Sequence, residues 1–125
     1  IGQQIDKMKA ICPAARIIFI GPADMSVKVD GELQTHPMLP CLTEALEAEC
    51  DARGVAFWDM YDVMGGHNSM LAWVAHQPPL AGTDYVHFTT RGANKIAEVL
   101  WRAIRMNYDY MLMVGRQKAD SQNNE

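Results

Sequence analysis

The chain has 125 residues, 49% of them hydrophobic and 21% charged, a balance that suits one ordinary domain and excludes a wholly disordered, collagen-like or long coiled-coil chain. Eleven basic against fifteen acidic side chains give a formal net charge of −4, so no electrostatic footprint for nucleic acid or an anionic membrane is visible. No apolar run approaches the roughly 20 residues of a membrane span, and Ile1-Gly2-Gln3-Gln4 has neither a basic start nor an apolar signal core.

Ile1, Ile5, Met8 and Cys12 follow helical spacing, and Pro13 ends that helix. Because the chain opens on Ile1 inside this pattern, it is expected to be a processed or truncated piece. Ala15 to Ile20 is a short, nearly continuous apolar run, and predicts a central parallel strand buried on both faces. Gly21 to Pro40 holds three prolines and two glycines, and its length and composition predict a long functional loop walling a site. Leu42, Ala45, Leu46, Glu49 and Cys50 restore helical spacing, with Glu44, Glu47 and Asp51 facing water and Gly54 closing the helix.

Val55 to Trp58 reads as a second buried strand, ended by Asp59, and a strand, helix and strand of this size imply parallel pairing with a right-handed crossover. The fold class is therefore α/β. Met60 to Ala75 is mixed, with Gly65-Gly66 breaking it and a short helix resuming near Ser69. Ala93, Ile96, Ala97, Leu100 and Ile104 predict the clearest helix in the chain, with Thr89 or Thr90 as its cap. From Gly115 to Glu125 the sequence is almost wholly polar and predicts a frayed, disordered tail, which leaves 1–114 as the folded part. Cys12, Cys41 and Cys50 lack C-x-x-C spacing and predict buried thiols, with neither a disulfide framework nor a metal site. No glycine-rich phosphate loop is present.

In parallel α/β sheets ligands bind beyond the carboxyl ends of the strands, which here feed the loops beginning at Gly21 and Asp59. Asp84 and His87, at i and i+3, bring a base and its orienter to the same face. An imidazole accepts a proton near neutral pH, and a carboxylate beside it fixes the tautomer and stabilises the imidazolium. Taken alone, D-x-x-H is a weak signal, since Asp and Thr before a helix are also caps. Asp24 and Ser26 could line the pocket or make an Asx-type turn. His67, Ser69, Met70 and Trp73 could wall it, Trp73 suiting a sugar ring, with a core tryptophan as the competing reading. Asn68 reads as a turn residue. His36 and His76 have no partner at ligand spacing and are expected in solvent. The nine methionines predict adaptable packing.

Asp84-Tyr85-Val86-His87-Phe88-Thr89, followed by Gly92 and the helix from Ala93, resembles the last block of the SGNH (GDSL-like) esterase and lipase family. Pro13 to Pro22 is similar to that family's late central strand, and Val55 to Asp59 to the next; the resemblance covers residues 1–105. It implies a three-layer α/β/α flavodoxin-like fold, of which this would be the C-terminal part. It also implies His87 as general base toward a serine, and Asp84 as its orienter. The family's nucleophile lies in a G-D-S block, and its oxyanion donors come from a glycine and from the Asn of a G-x-N-D block; none of these is present. The serines are Ser26, Ser69 and Ser121, none of them after Gly-Asp or within G-x-S-x-G.

The resemblance thus implies a carboxylic ester hydrolase without cofactor, whose upstream half supplies the nucleophile. Its substrate class would be O-acyl or O-acetyl esters of carbohydrate, with a lipid or simple short-chain ester left open, and its place periplasmic or extracellular. The alternative is a non-catalytic α/β binding module, or a degenerate paralogue, using the same cleft.

Overall fold

A computed structural model describes residues 1–122, with side-chain environments through residue 116. Two compact units make up the chain, one of residues Ile1–Gly92 and the other from Ala93 onward. In the first, helix α1 (Gly2–Ile11) precedes strand β1 (Ile18–Ile20). A hairpin of β2 (Ser26–Val29) and β3 (Glu32–Thr35) follows, then helix α2 (Leu39–Asp51) and strand β4 (Ala56–Trp58). Two short helices, α3 (Met60–Met64) and α4 (Ser69–Ala75), lead to the segment before the long helix α5 (Thr90–Gln122).

Strands β1 and β4 pair in parallel, with Phe19 opposite Phe57, so the strand, helix and strand pattern of the sequence folds as its spacing predicts. Beneath the sheet Ile5, Cys50 and Val55 form a buried cluster extended by Ile17, Phe19 and Phe57. The two phenylalanine rings stack with centroids 5.9 Å apart. Gly21 follows β1 directly under Phe57, whose ring tip would lie 2.7 Å from a Cβ there. Arg53 joins α1 to α2 at the surface through Asp6 at 3.0 Å and Glu49 at 2.7 Å.

Several expectations are corrected. The strand predicted over Ala15–Ile20 forms only over Ile18–Ile20, and Ile18 and Ile20 are exposed, because they share the face opposite Phe19, which is left uncovered among the described residues. Gly21–Pro40 is not a plain loop. Asp30 and Gly31 take φ of 52° and 90°, the paired positive values that close a tight antiparallel hairpin, and β2 and β3 pair from Ser26↔Thr35 to Val29↔Glu32.

The thiols differ from one another: Cys50 is buried, whereas Cys12 and Cys41 are exposed. Cys41 stands on the outer face of α2, whose buried residues are Leu39, Thr43 and Cys50, so Leu42 is also turned to solvent. The apolar stripe of α1 is likewise covered only at Gly2 and Ile5, with Met8 and Ile11 exposed. Finally, α5 continues through Gly115 to Gln122 where a frayed tail is expected. A single glycine costs a helix only about 1 kcal/mol, and the Arg116-Gln117-Lys118-Ala119 run that follows has high helix propensity. The last three residues of the predicted tail lie outside the described residues. Among the described residues no helix is long and apolar enough to cross a membrane.

Candidate active site

The segment from Leu80 to Thr89 folds back on itself before α5. Ala81 bridges to Phe88 in antiparallel fashion. The Gly82 N–H donates to the His87 carbonyl at 2.8 Å, and the Tyr85 N–H donates to the Gly82 carbonyl at 3.0 Å. Tyr85 takes a positive φ of 59°, an uncommon conformation for a residue with a side chain that the closed turn imposes. Asp84 organises the turn from within, since its Oδ1 accepts the N–H groups of Val86 and His87, each at 3.1 Å.

Its other oxygen, Oδ2, meets His87 Nδ1 at 2.7 Å. The side chains of Asp84 and His87 are 52% and 81% exposed. The hydrogen bond from the His87 side chain lowers the Asp84 pKa most, followed by the backbone N–H groups of His87 and Val86, and together they bring it to about 2. Asp84 is therefore an anion at neutral pH that holds one imidazole nitrogen. Nε2 has no hydrogen-bond partner among the described residues, and the His87 side chain is largely exposed.

Three loops converge here, as the strand ends require. The Ser26 N–H, five residues past Gly21, donates to the Tyr85 carbonyl at 3.0 Å. Asp24, in the same loop, is fully buried. It accepts from the Met70 N–H at 2.7 Å and from the Ser69 hydroxyl at 3.2 Å, both in the region beyond β4. Asp24, Ser26, Ser69 and Trp73, expected to line a pocket, are all buried. Trp73 is 7% exposed, its indole N–H donates to the Met64 carbonyl at 3.0 Å, and its ring packs 5.4 Å from that of Phe88, the residue after His87.

Asn68 is a turn residue with φ of 61°, paired reciprocally with Thr35. Met70 is buried, whereas His67 and His76 are exposed and His36 is half-buried. Two grooves of this unit lie near the amino ends of β1 and β4, one beside Lys9, Arg16 and Val55 and one beside Met8 and Ile11. Among the described residues no group of three or more His, Cys, Asp or Glu is placed to hold a metal ion.

Thr89, one of the two caps expected for α5, and Gly92, the glycine of the motif, support this segment. Thr89 Oγ1 accepts the Gly92 N–H at 3.2 Å and caps α5, while its own hydroxyl donates to the Pro79 carbonyl. A Cβ on Gly92 would overlap the Leu80 carbonyl oxygen. The glycine five residues after His87 is thus required by the close approach of the first turn of α5 to the segment that carries the dyad.

No family model matches the chain, and no curated protein matches its sequence. Among solved structures the chain is similar to a peptidoglycan O-acetylesterase, with a TM-score of 0.73 and 24% identity over 84% of this chain. It is also similar to the esterase domain of the ORF1 protein of the zebrafish ZfL2-1 retrotransposon, with a TM-score of 0.60 and 20% identity over 82% of this chain. The matched regions span 30% and 57% of those two chains. The fold is thus an α/β fold of the kind these esterases have, which bears out the expected class and, at the level of fold, the resemblance to SGNH esterases.

Proposed function

We propose that residues 1–92 carry the base half of a serine esterase site, with His87 as general base and Asp84 as its orienter. The observation that carries this reading is the 2.7 Å contact between Asp84 Oδ2 and His87 Nδ1, which leaves Nε2 exposed. In the reaction, Nε2 accepts the hydroxyl proton of a serine as its oxygen attacks the ester carbonyl. The imidazolium then returns the proton to the leaving alkoxide, and the same nitrogen activates water to release the acid. Asp84 stabilises the imidazolium in both halves without itself being protonated. The serine and the oxyanion donors come from outside this chain, as a further part of the same domain. Likeness in fold to a peptidoglycan O-acetylesterase supports O-acetyl esters of carbohydrate as the substrate class.

A second reading, a binding module without catalysis, is favoured by one fact. Neither the Ser26 nor the Ser69 hydroxyl is hydrogen-bonded to His87, Ser69 donating to Asp24 instead. Hydrolysis of p-nitrophenyl acetate and of O-acetylated glycan by the full-length protein decides between the two. His87→Ala should lower kcat/KM by about 10³-fold, and Asp84→Asn by less. Wild-type turnover by His87→Ala would end the esterase reading.

A further inference from the structure

Asp24 is wholly enclosed and uses both carboxylate oxygens as acceptors. Oδ2 receives the Met70 N–H and the Ser69 hydroxyl, and Oδ1 receives the Thr35 hydroxyl at 2.9 Å. Thr35 Oγ1 also accepts the Asn68 N–H at 2.6 Å while its own proton goes to Asp24. The Met70 N–H cannot reverse, so Oδ2 must remain an acceptor, while the Thr35 hydroxyl keeps a second lone pair. Aspartate takes all three bonds as an acceptor, whereas asparagine would have to turn its NH2 toward Thr35 and lose the bond that the hydroxyl donates.

The same network reaches the dyad by a short route. Thr35 is the ladder partner of Ser26, and the His36 N–H holds the Met25 carbonyl on the other side. Among the described residues, the Ser26 N–H is the hydrogen bond that ties the tip of the Asp84–His87 turn, at the Tyr85 carbonyl, to another element. Ser26 is buried and its hydroxyl has no hydrogen-bond partner, so its backbone, not its side chain, makes the connection.

We propose that Asp24 is a positioning residue for the Asp84–His87 dyad. It fixes the hairpin against α4 so that Ser26 holds Tyr85, and with it the turn that aims the imidazole. The functional meaning of this role rests on the esterase reading, whereas the geometric claim rests on the hydrogen bonds alone.

The test is a carboxyl-carbon NMR titration of Asp84 in the 125-residue chain, with imidazole nitrogen shifts reporting the tautomer of neutral His87. In Asp24→Asn the Asp84 midpoint should rise by about one pH unit, and the Nδ1–H tautomer should lose its predominance. Ser69→Ala and Thr35→Val should give smaller rises. Val55→Ala, in the cluster beneath the sheet, should lower the melting temperature without moving Asp84, which separates positioning from general loss of stability. A folded Asp24→Asn with an unmoved midpoint and tautomer overturns the proposal. If Asp24→Asn does not fold, Ser69→Ala and Thr35→Val decide: a rise in either supports the proposal, and no change in both overturns it. No ester enters this experiment, so its failure leaves the esterase reading standing, and an inactive esterase leaves this geometry standing.

Discussion

At the scale of single residues, the Asp84–His87 contact is an open, solvent-facing pair whose strength comes from geometry. The carboxylate sits at the focus of two backbone N–H groups and one ring nitrogen, and these hold its pKa at about 2. A carboxyl lowered in the fold favours the folded turn above its unfolded pKa, and that contribution disappears as the pH falls toward about 2. His87→Ala removes the largest cause and keeps the two N–H groups. The Asp84 midpoint should then rise part of the way toward 3.8, as followed by carboxyl-carbon NMR; a midpoint still at the wild-type position would mean that the ring contact is not made in solution. Gly92 is equally specific. Its added methyl would meet a backbone oxygen that has no rotamer to escape into. Gly92→Ala should therefore destabilise the protein by about 2 kcal/mol in a denaturant titration.

Among the elements, the hairpin changes what the loop after β1 does. A bare loop of this length would be free to wander, but β2 and β3 bring the Ser26 N–H and the Thr35 hydroxyl to fixed places on either side of Asp24. Its tip depends on Gly31, where φ is 90° and nothing lies within 4 Å of the place a Cβ would take, so the penalty of a side chain there is conformational and not steric. Gly31→Ala should cost about 1 kcal/mol of stability, whereas Asp30→Asn, which keeps a residue tolerant of positive φ, should be near neutral. Equal effects of the two substitutions in thermal melts would argue against this turn. Helix α2 shows the complementary case, in which the buried face runs through Leu39, Thr43 and Cys50. Burial, with Asp51 and Glu49 nearby, pushes the Cys50 thiol up and keeps it protonated.

Taken as a whole molecule, the chain presents the Asp84–His87 pair with no serine hydroxyl bonded to it among the described residues. The 125-residue chain should accordingly show no p-nitrophenyl acetate turnover above that of its His87→Ala version, since base, nucleophile and oxyanion donors must converge on one carbonyl. Turnover that vanishes in His87→Ala would point to an overlooked nucleophile, with Ser26 and Ser69 the first to replace. Ile18 and Ile20 on β1, with Met8 and Ile11 on α1, leave apolar surface and a strand edge uncovered. A parallel sheet is ordinarily covered on both faces. Sedimentation of the isolated chain should therefore show association that grows with concentration.

The amino-acid sequence by itself determined the α/β class, the parallel pairing of two apolar runs and the Asp84–His87 pair. Each of these is carried by short-range spacing: alternation of strands with a helix, and a three-residue separation that one turn closes. Asp30-Gly31 also carried a hairpin signal, masked by the prolines around it. Only the tertiary structure decided that Asp24, Ser69 and Trp73 face inward. Asp24 meets Ser69 and the Met70 N–H across 45 and 46 residues of sequence, and Trp73 is set by Met64 and Phe88. An aspartate, a serine or a tryptophan in a loop has the same local signature whether it meets a ligand or a buried N–H. The glycine after His87 was legible as a motif position, but its reason, the Leu80 carbonyl against it, exists only once the chain has folded back.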